Sequence, residues 1–298
     1  GRGIGSLGGW AVGGQPNKLP ADLAWRLPKN ADLVLAMHYH PSGKPEKDQS
    51  TIGLYFTDQP PSTAFTGVQL PPVFGALSGV DIPAGEKAFT VRDSFTLPID
   101  VEAFAVSAHA HYLGKELHMS ATLPSGKKMN LLNIPDWDFS WQEQYQFKDF
   151  VNLPKGTKLE STVVWDNSSE NPNNPSVPPK RVRWGPESED EMGCLTLLCR
   201  PAEGERFSTL TSLYRKHISE VSARTARERA DRVRGDNADD TLKGFFKRTD
   251  RNGNGKIELS EAPRWMKPSF ERSDTNRDKT LNFDELKAAT ARLRNQNR

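Results

Sequence analysis

The chain has 298 residues, enough for about two domains, with 35% apolar residues, 23 Gly, 22 Pro and a formal charge of +2. That charge balance gives no bulk electrostatic case for nucleic acid or an acidic surface, and no run approaches the ~18 apolar residues of a membrane span. So many turn formers beside a modest apolar content suit short strands joined by turns, followed by a less apolar tail.

The chain opens at Gly1 with neither a methionine nor the charged and apolar regions of a signal peptide. Residues 1–57 read as the trailing, incomplete part of one lobe. Leu33-Val34-Leu35-Ala36-Met37-His38-Tyr39-His40 is expected to form a strand ending in two histidines, and Thr51 to Phe56 a second. Without partners, such strands would leave unpaired edges and exposed apolar surface. Residues 58–75, rich in Pro, Thr and Gly, read as a linker.

From 76 to 203 the pattern is all-β. Expected strands are Ala88 to Arg92, Val101 to His111, Leu117 to Leu123, Thr157 to Trp165 and Met192 to Cys199, with a hairpin turn at Ser125-Gly126. The spacing suits an antiparallel β-sandwich of jelly-roll type. His109 and His111 stand two apart on an expected strand and so share a face. Two imidazoles on one face can fill two positions around one metal ion, and copper, zinc, nickel and iron all accept imidazole. Alternatively, the pair is simply a polar strand face. Trp137, Phe139, Trp141, Tyr145 and Phe147 are either core or pocket lining. Cys194 and Cys199, five apart on one strand, point to opposite faces and are not expected to pair.

Residues 204–240 change to helical spacing, as Phe207, Leu210, Leu213, Tyr214, Ile218 and Val221, and read as a helical linker. The remaining stretch, 241–298, carries two loops of the twelve-residue EF-hand pattern, making a small all-α domain. The first places Asp250, Asn252, Asn254, Lys256 (by its carbonyl), Glu258 and Glu261 at the calcium-ligand positions, with Gly255 at the sharp turn. The second places Asp274, Asn276, Asp278, Thr280 (by its carbonyl), Asn282 and Glu285 there, with Lys279 in place of the glycine. The loops start twenty-four residues apart, so the joining helices must be short.

Four segments in order give the chain a wider resemblance. They are Leu33 to His40, Val80-Asp81-Ile82-Pro83-Ala84-Gly85-Glu86-Lys87, His109-Ala110-His111-Tyr112-Leu113-Gly114-Lys115 and Ser188-Glu189-Asp190-Glu191-Met192. Over about residues 8 to 203 the chain resembles the copper type II ascorbate-dependent monooxygenases, the family of peptidylglycine α-hydroxylating and dopamine β-monooxygenases. The resemblance implies antiparallel sandwich lobes, copper at His109, His111 and Met192, and hydroxylation of a substrate C–H bond by dioxygen with ascorbate as reductant. His38 matches one ligand of the family's second copper. The adjacent histidine pair that completes that site is absent among the six histidines. The expectation is therefore a fragment lacking its upstream lobe, or a true single-copper protein. A copper-binding module without turnover, bearing calcium-binding EF-hands, is the alternative reading.

The family analogy also implies an extracytoplasmic setting, periplasmic or secreted, and a small-molecule or peptide-like substrate. Ser107 stands where the peptide-amidating relatives carry an arginine for the peptide carboxylate. Thr196 replaces an assisting tyrosine, and Cys194 a polar amide. A peptidylglycine substrate is therefore disfavoured.

Overall fold

The computed structural model describes residues 7–9, 18–20, 22–37, 39, 42–264 and 266–296. The chain divides into two compact units, Gly1–Ala223 and Arg224–Arg298. The first is mainly antiparallel β. One four-stranded sheet has the order β1 (Thr66–Leu70), β10 (Gly193–Pro201), β4 (Val101–Ala110), β7 (Gln144–Leu153). The other has the order β3 (Phe89–Thr96), β8 (Lys158–Trp165), β5 (Gly114–Thr122), β6 (Lys128–Ile134). A two-stranded ladder joins β2 (Asp81–Ile82) to β9 (Val182–Arg183).

Alternation explains the strands. In β3, Val91, Asp93 and Phe95 are buried, while Arg92, Ser94 and Thr96 are exposed. Leu159, Val163 and Trp165 of β8 bury in the same cluster as Val106, Ala108, Leu195 and Leu197 of the other sheet. Both sheets thus feed one core, as in a β-sandwich. The expected hairpin holds: Leu123 N–H donates to the Lys127 carbonyl at 2.9 Å, and Gly126 takes a φ of 84°.

β4 is apolar on both faces. Its register against β7 shifts between Ala103 and Ala105, and β10 shifts against it between Leu198 and Cys199. Such irregularities re-aim side chains. Beyond them Val106, Ala108 and Ala110 join the core, and Ser107 and His109 take the opposite face. Phe104 and Ala105 bury with Leu23, against Leu19, Phe65, Phe150 and Leu198. Arg200 fixes this layer, pairing with Asp22 and Glu102 and lying 4.2 Å over the Phe150 ring.

Several expectations change. The stretch 58–75 contains β1, whose Val68 and Leu70 are fully buried, so pairing with β10 outweighs its linker-like composition. Residues 33–37 and 51–56 form no strand. Leu33, Val34, Leu35, Met37, Ile52, Leu54, Tyr55 and Phe56 are exposed, since a strand needs a partner for its N–H and C=O groups. The turn after β8 is tied into the fold: Asn167 is buried and its amide donates to the carbonyls of Ile82, Pro83 and Lys180.

The helix α1 (Phe207–Thr249) begins in the first unit. Leu210 is buried in the sandwich core, and the Tyr214 hydroxyl donates to the Gln69 carbonyl at 2.7 Å and accepts from its N–H at 2.9 Å. His217, with no partner evident in the sequence, lies 2.9 Å from the buried Asp93 carboxylate. No described helix is long and apolar enough to cross a membrane.

In the second unit, β11 (Ile257–Glu258) pairs with β12 (Thr280–Leu281). Ile257, Ala262, Met266, Phe270, Leu281 and Leu286 form its core, with Leu242, Phe245 and Phe246 of α1 packed on them. The helices α2 (Phe270–Ser273) and α3 (Phe283–Gln296) flank the second loop. Both loops wrap the same way. Gly253 and Gly255 take left-handed φ of 72° and 79°, and their counterparts Arg277 and Lys279 take 60° and 65°. A left-handed conformation costs a side-chain-bearing residue roughly 1–2 kcal/mol. Lys279→Gly should therefore stabilise the second unit by about 1 kcal/mol in denaturant unfolding of the full chain. Lys279→Ala, which keeps Cβ, should give no comparable gain; equal gains would assign the effect to charge.

Candidate metal centre

The centre is built at the end of β4. Antiparallel register sets Cys194 opposite His109 and Gly193 opposite Ala110. Met192 directly precedes Gly193 and His111 directly follows Ala110, so both stand one residue past the last ladder pair. The two imidazoles lie with ring centres 5.1 Å apart and planes at 90°. His111 is 5% exposed, whereas His109 and Met192 are half-buried.

Each ring is held in one tautomer. His111 Nδ1 lies 3.0 Å from the Asp190 carbonyl oxygen, which only accepts, so Nδ1 must donate. His109 Nδ1 lies 2.7 Å from Gln142 Oε1. The Gln142 amide donates from Nε2 to the Phe139 carbonyl at 2.9 Å, which fixes the oxygen toward His109. In the neutral imidazole, Nδ1 then carries the proton of each ring and Nε2 the lone pair. Orientation of a ligating histidine through its other nitrogen is a common feature of metal sites.

The ring separation also fits a shared ion. Two imidazoles each centred about 3.2 Å from one ion, at a near-tetrahedral angle, stand about 5 Å apart. Among the described residues, no three His, Cys, Asp or Glu side chains gather as a metal-binding group. The two-histidine set would draw its third donor from a thioether. That donor set suits a soft ion such as Cu(I).

Aromatic edges border the pair: Phe74 stands 5.4 Å from His109 and Phe139 stands 5.9 Å from His111. Tyr112 lies 4.5 Å from Phe139. The other aromatics divide: Trp137 is core, Tyr145 and Phe147 pack partly against it, and Trp141 is exposed.

In the sequence Glu191 is one acid of the run Glu187, Glu189, Asp190 and Glu191, with the composition of a solvated loop. It is wholly buried. Its carboxylate accepts from the backbone N–H of Leu113 at 2.6 Å and of His111 at 3.1 Å, and from Trp165 Nε1 at 2.9 Å. The Met192 N–H also bonds to it. Burial pushes its carboxyl up to about 8, opposed by these four donors. Trp165 lies so close to β10 that a Cβ on Gly193 would meet its Cζ2 at 2.2 Å. Trp137 likewise closes on Gly114 and donates to the His111 carbonyl at 3.2 Å.

The remaining candidates lie elsewhere. His38 falls outside the described residues, as does His40. His118 bonds Asn130 at 3.2 Å on β5. Cys194 and Cys199 are both free and buried, and burial pushes each thiol up to about 12.

In the first loop of the second unit, Asp250 Oδ2 accepts from Gly255 N–H at 2.9 Å, Asn254 Oδ1 from Lys256 N–H at 2.9 Å, and Glu261 Oε1 from Arg251 N–H at 2.9 Å. The second loop repeats this with Asp274 and Lys279, Asp278 and Thr280, and Glu285 and Thr275, at 2.8, 2.9 and 2.9 Å. Lys256 Nζ reaches across to Asp278 Oδ2 at 2.9 Å.

No family model and no curated protein matches the chain. Among solved structures it is similar, at 10% identity, to infectious bursal disease virus of the Gt strain, over 54% of this chain and 40% of that one, with a TM-score of 0.23. The Gx strain gives 10% identity, 53% and 38%, and a TM-score of 0.21. A Yersinia pseudotuberculosis-derived mitogen gives 10% identity, 41% and 92%, and a TM-score of 0.16. The chain spans about two fifths of the viral chains' length. Likeness at these scores carries no argument about fold or function.

The tautomer assignment is directly testable. Nitrogen-15 NMR of the metal-free chain should show Nδ1–H for both His109 and His111. Gln142→Leu should release His109 alone, because the partner of His111 is a backbone carbonyl. Release of both rings, or of neither, would contradict the two separate clamps.

Proposed function

We propose that this chain serves copper-dependent monooxygenation, in which a substrate C–H bond is hydroxylated with dioxygen and ascorbate. His109, His111 and Met192 would hold the copper. The observation that supports this most is the pair of Nδ1-anchored imidazoles, with Met192 and His111 each one residue past the last β4–β10 pair. A copper held there would supply redox chemistry toward dioxygen, with ascorbate as electron source. The chain's own residues orient the rings: Gln142 and the Asp190 carbonyl take the Nδ1 protons, and Phe74 and Phe139 present their edges.

The substrate reading follows from the same sheet face. Ser107 is the direct partner of Thr196, beside the Cys194–His109 pair. At these three positions the chain departs from the peptide-amidating pattern near the pair, and all three residues are small and uncharged. This supports a small-molecule or peptide-like substrate that is not anchored by a carboxylate at Ser107. An extracytoplasmic setting and a second copper lobe, with His38 as one ligand, belong to the same proposal.

We further propose that the second unit is an EF-hand pair that binds calcium. The matching sets of loop N–H bonds accepted by Asp250, Asn254 and Glu261, and by Asp274, Asp278 and Glu285, support it, as does the short β11–β12 ladder between the loops.

X-ray absorption on the Cu(I)-loaded protein tests the first proposal. One copper per chain with a sulfur scatterer, lost in Met192→Ala, is expected. No copper, or a sulfur signal indifferent to Met192, would sink it. Copper and sulfur without ascorbate-dependent oxygen uptake would leave a binding module only. For the second proposal, calcium at one hundred times its Kd should stabilise the chain by about 2.7 kcal/mol. The tighter of two titration steps should vanish in Glu261→Gln. A melting temperature unmoved by calcium would reject it.

A further inference from the structure

Among the described residues, Glu191 is the wholly buried acid beside the proposed copper ligands, and the ligand set does not use it. Its position is singular. The acceptors of one carboxylate take the His111 N–H, the Leu113 N–H, the Trp165 indole N–H and the Met192 N–H. These donors come from the end of β4, the turn into β5, the end of β8 and the residue leading into β10. The ladder between β4 and β10 stops at the Gly193–Ala110 pair, one residue short of Met192 and His111. Past that point no backbone pair of the ladder sets their spacing, and the Glu191 carboxylate bridges the two backbones instead.

We propose that Glu191 is a positioning residue that holds Met192 against His111, so that the thioether and the imidazoles converge on one ion. This rests on the copper reading above. The physical case is one of donor count. A carboxylate offers two oxygens to four N–H groups, whereas a glutamine amide offers one oxygen and turns an NH₂ toward the remaining donors. Glu191→Gln therefore sets donor against donor at the bridge, while side-chain size is kept. Loss of such outer partners typically weakens metal binding 10–100-fold.

The experiment measures Cu(I) affinity against a chromogenic chelator, the sulfur scatterer by X-ray absorption, and the melting temperature of the metal-free chain. It compares wild type, Glu191→Gln and Trp165→Phe. The tryptophan variant removes one donor to Glu191 and loosens the same core, yet leaves the backbone bridge intact. Glu191→Gln is expected to bind Cu(I) roughly 10–100-fold more weakly and lose its sulfur scatterer while keeping both imidazoles. Trp165→Phe is expected to lose stability and keep its sulfur. An equal loss of copper affinity in both variants at equal loss of stability would make Glu191 merely structural and overturn the proposal. The same readings on Glu191→Asp cover the case in which the glutamine variant does not fold. Wild-type affinity with sulfur retained, in whichever variant folds, overturns the proposal as well. A wild type that binds no copper rejects the copper reading itself, and this inference falls with it.

Discussion

The antiparallel pairing of β4 with β10 is the constraint on which the rest of the first unit depends. It runs from Val101–Pro201 to Ala110–Gly193 through the middle of one sheet. Its inner face supplies Val106, Ala108, Leu195 and Leu197 to the core that the second sheet closes. Its outer face supplies Ser107, His109, Cys194 and Thr196. A slip of one residue would exchange these faces, burying imidazoles and exposing the aliphatic set. The apolar core thus fixes the register, and the register fixes which side chains stand beside His109.

Where the ladder ends, polar contacts take over. Gln142 from one loop, and the Asp190 carbonyl and Glu191 from another, reach the two histidines and hold ring orientation and backbone spacing to within hydrogen-bond distances. Trp165 and Trp137 sit over Gly193 and Gly114, where no side chain could fit. The centre is therefore rigid on its core side and bordered by aromatic edges on the other. Preorganisation of this kind is what a site needs if its ligands are to meet an ion without rearrangement.

Much of this was legible in the sequence, because its signals are local. Alternation marked β3, β4, β5, β8 and β10 to within a few residues, but not β1, β6 or β7, and the i, i+2 spacing placed His109 and His111 on one face. The loop pattern at 250–261 and 274–285 located two turns whose hydrogen bonds repeat each other, including a left-handed lysine at 279. What was not legible depends on distant partners. Leu33 to Met37 and Thr51 to Phe56 have strand composition, but a strand is a property of a pair, and neither finds a partner strand among the described residues. Asp93 and His217 meet across 124 positions, and Gln142 reaches His109 across 33. Glu191 could not be told from its acidic neighbours, since only the fold decides which carboxylate of such a run is buried.

The two cysteines give β10 a further property. They stand at its site end and near its far end, on either side of the Leu198–Cys199 irregularity, both buried and both held as unreactive thiols. A folded chain should therefore resist alkylation, and any labelling must pass through opening of the strand. The two thiols would then act as separate clocks on one element. Faster modification of Cys194 would time fraying at the centre, and equal rates would time release of the whole strand from its sheet.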